Sequence, residues 1–91
     1  MVGERVARGR RRAEDHLDEI AQRAAAGALM TQIAEALGLT YRQVVVRQET
    51  LRRKLAEETG DLLFMDSDAR PLTTCAQRWC SLRGLAVIEP A

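Results

Sequence analysis

Apolar residues recur at helical rather than alternating intervals through most of this chain. Leu17, Ile20, Ala21 and Ala24 stand three and four apart, which puts them on one side of a helix. Glu14, Asp15 and Asp18 open that run, where the amide end of a helix favours acids. Gly27 follows as a stop, so the pattern predicts a first helix over about 13–26. Leu29, Ile33, Ala34 and Leu37 share a second face, closed by Gly38, which predicts a helix over about 29–37. Thr40 stands where an N-cap is needed, its hydroxyl an acceptor for an otherwise orphaned amide. A third helix then runs from Tyr41 to about Glu58, with Val44, Leu51 and Leu55 in one stripe and Gln48 in its fourth place. Gly60 terminates it.

After Gly60 the pattern changes. The apolar run Leu62-Leu63-Phe64-Met65 leads to the polar stretch Asp66-Ser67-Asp68-Ala69-Arg70-Pro71 and back to Leu72-Thr73, an order that predicts a small β-hairpin. A last helix is expected with Thr73 or Thr74 as its cap, ending near Arg83 before Gly84. The expected organisation is a flexible basic arm over 1–12, a mainly α domain over 13–84, and an apolar tail over 85–91 that is too short to assign. There are no internal repeats.

Composition narrows this picture. Ninety-one residues are too few to divide between two cores. Hydrophobic residues make up 46% of the chain, yet Tyr41, Phe64 and Trp79 are its only aromatics. The core must therefore be made of Ala, Leu, Ile and Val, which suits helix. Net charge is only +1, but its distribution is uneven. Arg5, Arg8, Arg10, Arg11 and Arg12 crowd the start, and Arg42, Arg47, Arg52, Arg53 and Lys54 form a second group. Separated charge can build a basic face on a nearly neutral molecule, although either run taken alone reads equally as a solvated surface.

Other chemistry is thinly represented. Cys75 and Cys80 lie five apart, on different faces of the expected helix, where they cannot bridge. With His16 the sole histidine, no metal site is expected. Reduced thiols, the absence of a bilayer-spanning run and the absence of a secretory signal together predict a soluble cytoplasmic protein with no membrane partner. His16 lacks a convincing partner, and neither a phosphate loop nor a carboxylate pair is visible, so neither enzyme activity nor a cofactor is expected.

The segment from Leu29 to Leu55 carries the functional expectation. Two short helices joined by a tight turn need a small residue at their crossing, a glycine at the turn and aliphatics on either side. Ala34, Gly38, and the set Ile33, Leu37, Leu39 and Val44 meet that need. The start of the following helix then projects outward and can enter a major groove about 12 Å wide. Arg42 can bridge to guanine and Gln43 to adenine, while Thr40 and Tyr41 suit phosphates. Three successive valines cannot all face inward, so Val45 or Val46 must cover a thymine methyl, the wing or a second subunit. Arg47 completes the groove set. Arg52, Arg53, Arg70 and the arm residues Arg10, Arg11 and Arg12 are the expected phosphate contacts.

These residues resemble the N-terminal winged helix-turn-helix of LysR-type transcriptional regulators. Leu17-Asp18-Glu19-Ile20 through Ala24-Ala25-Ala26-Gly27-Ala28-Leu29 looks like that family's first helix and the step into its second. Ala34-Glu35-Ala36-Leu37-Gly38-Leu39-Thr40 resembles its Ala-Glu-x-Leu-x-Val-Ser segment, and Glu57-Glu58-Thr59-Gly60-Asp61-Leu62-Leu63-Phe64 its Glu-Glu-x-Gly-x-x-Leu-Phe. Leu72-Thr73 falls where the family closes its wing. The likeness covers roughly residues 17–76 and implies a three-helix core, a short β-hairpin wing and a C-terminal helix. It also implies a homodimer in which Trp79 and Leu82 lie near the contact, although Trp79 reads equally as a plug of its own core.

The chain departs from that family in places. Val45-Val46-Arg47 replaces the usual Ser-Arg-Gln, the third helix is about one turn longer, and Met65-Asp66 stands where a basic residue is usual. An acidic wing with Asp66 and Asp68 is repelled by phosphate, leaving Arg70 as its one contact. No effector-binding domain follows, so inducer control is not implied. A second resemblance, of Leu39-Thr40 through Val44 and Leu51-Arg52-Arg53-Lys54-Leu55, is to LuxR-type regulators and the end region of bacterial sigma factors. Those domains carry no wing.

The expected function is a sequence-specific double-stranded DNA-binding transcriptional regulator, with RNA polymerase or another regulator as a further partner. The alternatives are a DNA-architectural or recombination accessory factor of a mobile element, and an adaptor that uses the same helices and exposed valines to bind protein.

Overall fold

The computed structural model describes residues 15–90. Four helices follow one another: α1 (Leu17–Ala24), α2 (Met30–Leu37), α3 (Tyr41–Thr59) and α4 (Leu72–Arg83). A 3-10 turn at Leu62–Met65 lies between the last two. Helix α1 packs chiefly on α4, and α2 packs on α3. The 3-10 turn lies along α3.

The buried positions follow the helical spacing. Leu17, Ile20, Ala21 and Ala24 of α1 are all buried, as are Val44, Leu51 and Leu55 of α3. Helix α4 contributes Cys75, Ala76, Trp79 and Cys80. At about 25 cal/mol per Å2 of apolar area withdrawn from water, this shared core is the main stabilising term. Burial also pushes both thiols above the ordinary thiol range. They stay protonated, and neither is bonded to the other.

Local chemistry sets the ends of the helices. His16 precedes α1 in the left-handed region with φ 67, and its Nδ1–H donates to Glu19 Oε1 at 2.7 Å. A carboxylate only accepts, so Nδ1 carries the proton. At the start of α2, Gln32 Oε1 accepts from the Leu29 amide at 2.8 Å. Leu29 therefore sits outside the helix, 65% exposed, and not on its buried face as the spacing predicts. Gly38 ends α2 in the left-handed region, and the Leu39 amide donates back to Ala34 O at 2.9 Å. That reversal turns the chain within a few residues, and a side chain at Gly38 would be strained whatever the space around it.

Three expectations about the fold need correction. Among the described residues there is no strand, so the β-hairpin wing is replaced by the 3-10 turn and a bend over 67–70. Arg52 supplies the physical reason. Its Nη1 donates to Phe64 O at 3.1 Å and Arg70 O at 2.7 Å, occupying carbonyls on both arms that a ladder would need. Asp61 and Asp66 then satisfy the amides of Leu63 and Asp68 locally, a backbone alternative that favours turns.

The second correction concerns α4, which begins at Leu72 with Pro71 as its cap residue, so neither Thr73 nor Thr74 caps it. The third is that α1 spans Leu17–Ala24, with a turn over 25–27 in place of its expected last residues. The expected start at 13 lies outside the described residues. The tail carries no regular structure over 85–90, but the Ile88 amide ties it to Gln22 O at 2.8 Å.

Candidate nucleic-acid interface

Helix α3 is 19 residues long, about 28 Å at 1.5 Å per residue. It begins with a reciprocal cap. The Gln43 amide donates to Thr40 Oγ1 at 3.0 Å, and the Thr40 amide donates to Gln43 Oε1 at 2.8 Å. Two orphan donors are satisfied this way, which fixes the angle at which α3 leaves the turn. Thr40 thus acts as a cap, and the carbonyl oxygen of the Gln43 side chain is committed to the backbone.

Beyond the cap, α3 is sharply two-sided. Arg42, Val46, Glu49 and Arg53 are exposed, as is Tyr41. Val46 is 43% exposed and Tyr41 52%. At 100° per residue the first four fall within an arc of about 60°. Val45 borders this arc, half-buried. No hydrogen bond or ion pair holds Arg42, Glu49 or Arg53 among the described residues. The arc faces solvent, and its side chains are available to a ligand.

Arg47 and Arg52 lie off the arc, which corrects their assignment to the groove and to phosphate. Arg47 is 4% exposed. Its Nη1 donates to Gln43 O at 3.1 Å, while its Nε has no partner among the described residues. Arg52 is buried as well, and its guanidinium is engaged through Nε and Nη1. Nε donates to Gln48 Oε1 at 2.9 Å, and Nη1 reaches Cys75 Sγ at 3.4 Å in addition to the two loop carbonyls. A buried charge is tolerated only where hydrogen bonds replace lost water, and these acceptors do so for Arg52.

Arg70 is partly exposed but drawn inward. Its Nη2 lies 3.1 Å from Asp61 Oδ2, and its guanidinium sits over the Phe64 ring at 5.6 Å. Arg10, Arg11 and Arg12 lie outside the described residues. Trp79 is 3% exposed, and its Nε1–H donates to Asp18 Oδ1 at 2.8 Å. The Arg83 guanidinium stacks over the Trp79 ring, 3.4 Å from its centroid, and forks onto Glu58. Trp79 therefore plugs the α1–α4 core and is not exposed for a dimer contact. Leu82 is exposed, as are Val87 and Ile88.

Glu49 is not among the site residues expected from the sequence. Its signal was its spacing, seven residues from Arg42 and four from Arg53, which returns it to the same side of the helix. A second exposed group, Leu29 with Tyr41, borders a shallow apolar cleft that Met30 and Leu72 also line. No known protein family, curated protein or solved structure matches this chain. Its residues alone must carry a functional reading.

Proposed function

We propose that this protein binds double-stranded DNA sequence-specifically and acts as a transcriptional regulator. In this reading α2 and α3 form a helix-turn-helix whose second helix enters the major groove. The observation that carries the reading is the two-sided start of α3. Its cap and the Gly38 turn hold it rigidly, yet Arg42, Val46 and Arg53 are left facing out. A rigid helix bearing an arginine, an apolar residue and a second basic residue on one face matches what base edges and phosphates require. Arg42 pairs with guanine, Val46 covers a thymine methyl, and Tyr41 and Arg53 hold phosphates. Arg10, Arg11 and Arg12 add non-specific attraction.

Selection from a random duplex pool, repeated at two salt concentrations, tests this directly. An enriched motif, with affinity that falls steeply as salt rises, is the expected result. Failure to retain any duplex at low salt overturns the reading.

A second reading, a protein-binding adaptor, is favoured by one observation. Leu29, Tyr41 and Val46 place large apolar surface at or beside the start of α3, as a helix-in-groove contact would need. It predicts affinity for a protein that is indifferent to salt. A homodimer remains part of the first reading, with Leu82, Val87 and Ile88 as the surface for a second copy.

A further inference from the structure

The exposed arc of α3 contains an acid, and a helix that served only to grip phosphates would gain nothing from it. Glu49 lies between Val46 and Arg53 on that arc and is exposed. It stands four residues before Arg53, the favourable order for a helical ion pair. Yet the two do not pair, and Glu49 has no hydrogen bond or ion pair with any described residue. Its carboxylate is left available on the surface proposed to face DNA.

We infer that Glu49 is a specificity-determining residue that accepts a hydrogen bond from the exocyclic amine of a cytosine in the major groove. The inference rests on the DNA-binding reading and deepens it. A carboxylate is acceptor-only, and among base edges in the major groove the cytosine amine offers a donor with no competing acceptor on that base. Phosphates repel the same carboxylate, so Glu49 lowers affinity for any duplex in which it has no such donor. Spacing along the helix sets where that cytosine lies. Arg42 and Glu49 are seven residues apart, an axial distance of about 10 Å, which a helix inclined to the duplex axis spreads over about two to three base-pair steps. The arc therefore reads a guanine under Arg42, an apolar thymine methyl under Val46, and a cytosine about two to three steps from the guanine.

The test compares motifs selected from a random duplex pool by the full chain and by two variants, Glu49→Gln and Glu49→Ala. The unmodified chain is expected to select a cytosine about two to three steps from its arginine-read guanine. Glu49→Gln, whose amide suits adenine, is expected to lose that cytosine preference by about ten- to hundredfold and to favour adenine there. Glu49→Ala is expected to leave the position undiscriminated while binding random duplex more tightly. Both changes lie on an exposed surface, and unchanged thermal unfolding confirms that each variant is folded. A cytosine preference that persists in Glu49→Ala, which has no acceptor, overturns the assignment and leaves the DNA-binding reading standing. If the unmodified chain retains no duplex at low salt, both fall together.

Discussion

Helix α3 carries four arginines and divides them into two pairs with opposite fates. Arg42 and Arg53 extend into solvent, whereas Arg47 and Arg52 are buried. Their chemistry is identical, so rotation about the helix makes the difference. Eleven residues separate the exposed pair and bring it back to within about 20° of the same direction, while the five from Arg42 to Arg47 turn the side chain by about 140°. A basic cluster in a sequence is therefore not yet a basic face. Here the cluster supplies one solvent-facing surface and one interior clamp for the loop that follows.

The largest expected effect breaks the interior half of that comparison. Replacing Arg52 by Met leaves Phe64 O and Arg70 O only the long, weak contacts of the Cys75 thiol at 3.9 and 3.6 Å, and should cost about 2–4 kcal/mol of stability in urea unfolding. An unchanged midpoint would show that the clamp contributes nothing. The exposed half breaks differently. Arg42→Ala should leave unfolding untouched but cost about 1–3 kcal/mol on the selected site and relax its guanine. Equal loss on random duplex would instead make Arg42 a phosphate contact.

Two smaller effects sharpen the contrast. Thr40→Ala removes the hydroxyl that caps α3 and should cost about 1 kcal/mol of stability in thermal unfolding. A loss of DNA affinity larger than that stability loss would show how tightly the cap sets the entry angle. Arg47→Met should be close to neutral, or stabilising by up to about 1 kcal/mol, because it removes a buried charge whose Nε is unpartnered. The two buried arginines are thus expected to respond in opposite directions to the same substitution.

Features governed by near neighbours were legible in the sequence. The buried residues of α1, the glycine stops after α2 and α3, and the Thr40 cap all depend on residues within one or two turns, and periodicity and capping report that range. The exposed arc was legible in part. Arg42, Val46 and Arg53 follow from the sequence as groove and phosphate contacts, but Glu49 does not, because an acid has no place in a face defined by its positive charge. What could not be read was set by distance along the chain. Arg52 meets acceptors 12, 18 and 23 residues away, and no local spacing marks such partners. The apolar-polar-apolar run after Gly60 was read as a hairpin because its pattern fits one. It is a clamped turn, its two arms held by one guanidinium that donates to Phe64 O and Arg70 O.

That clamp has a consequence for engineering. The Arg52 guanidinium anchors the connection between α3 and α4 at Phe64 and again at Arg70, while Ser67, Asp68 and Ala69 lie exposed between the two anchors. Such a tip can accept a graft while its feet stay planted. A peptide tag or fluorophore attachment inserted there should leave the helices in register, whereas the same insertion between Gly60 and Leu63 would shift the first foot and unseat the connection.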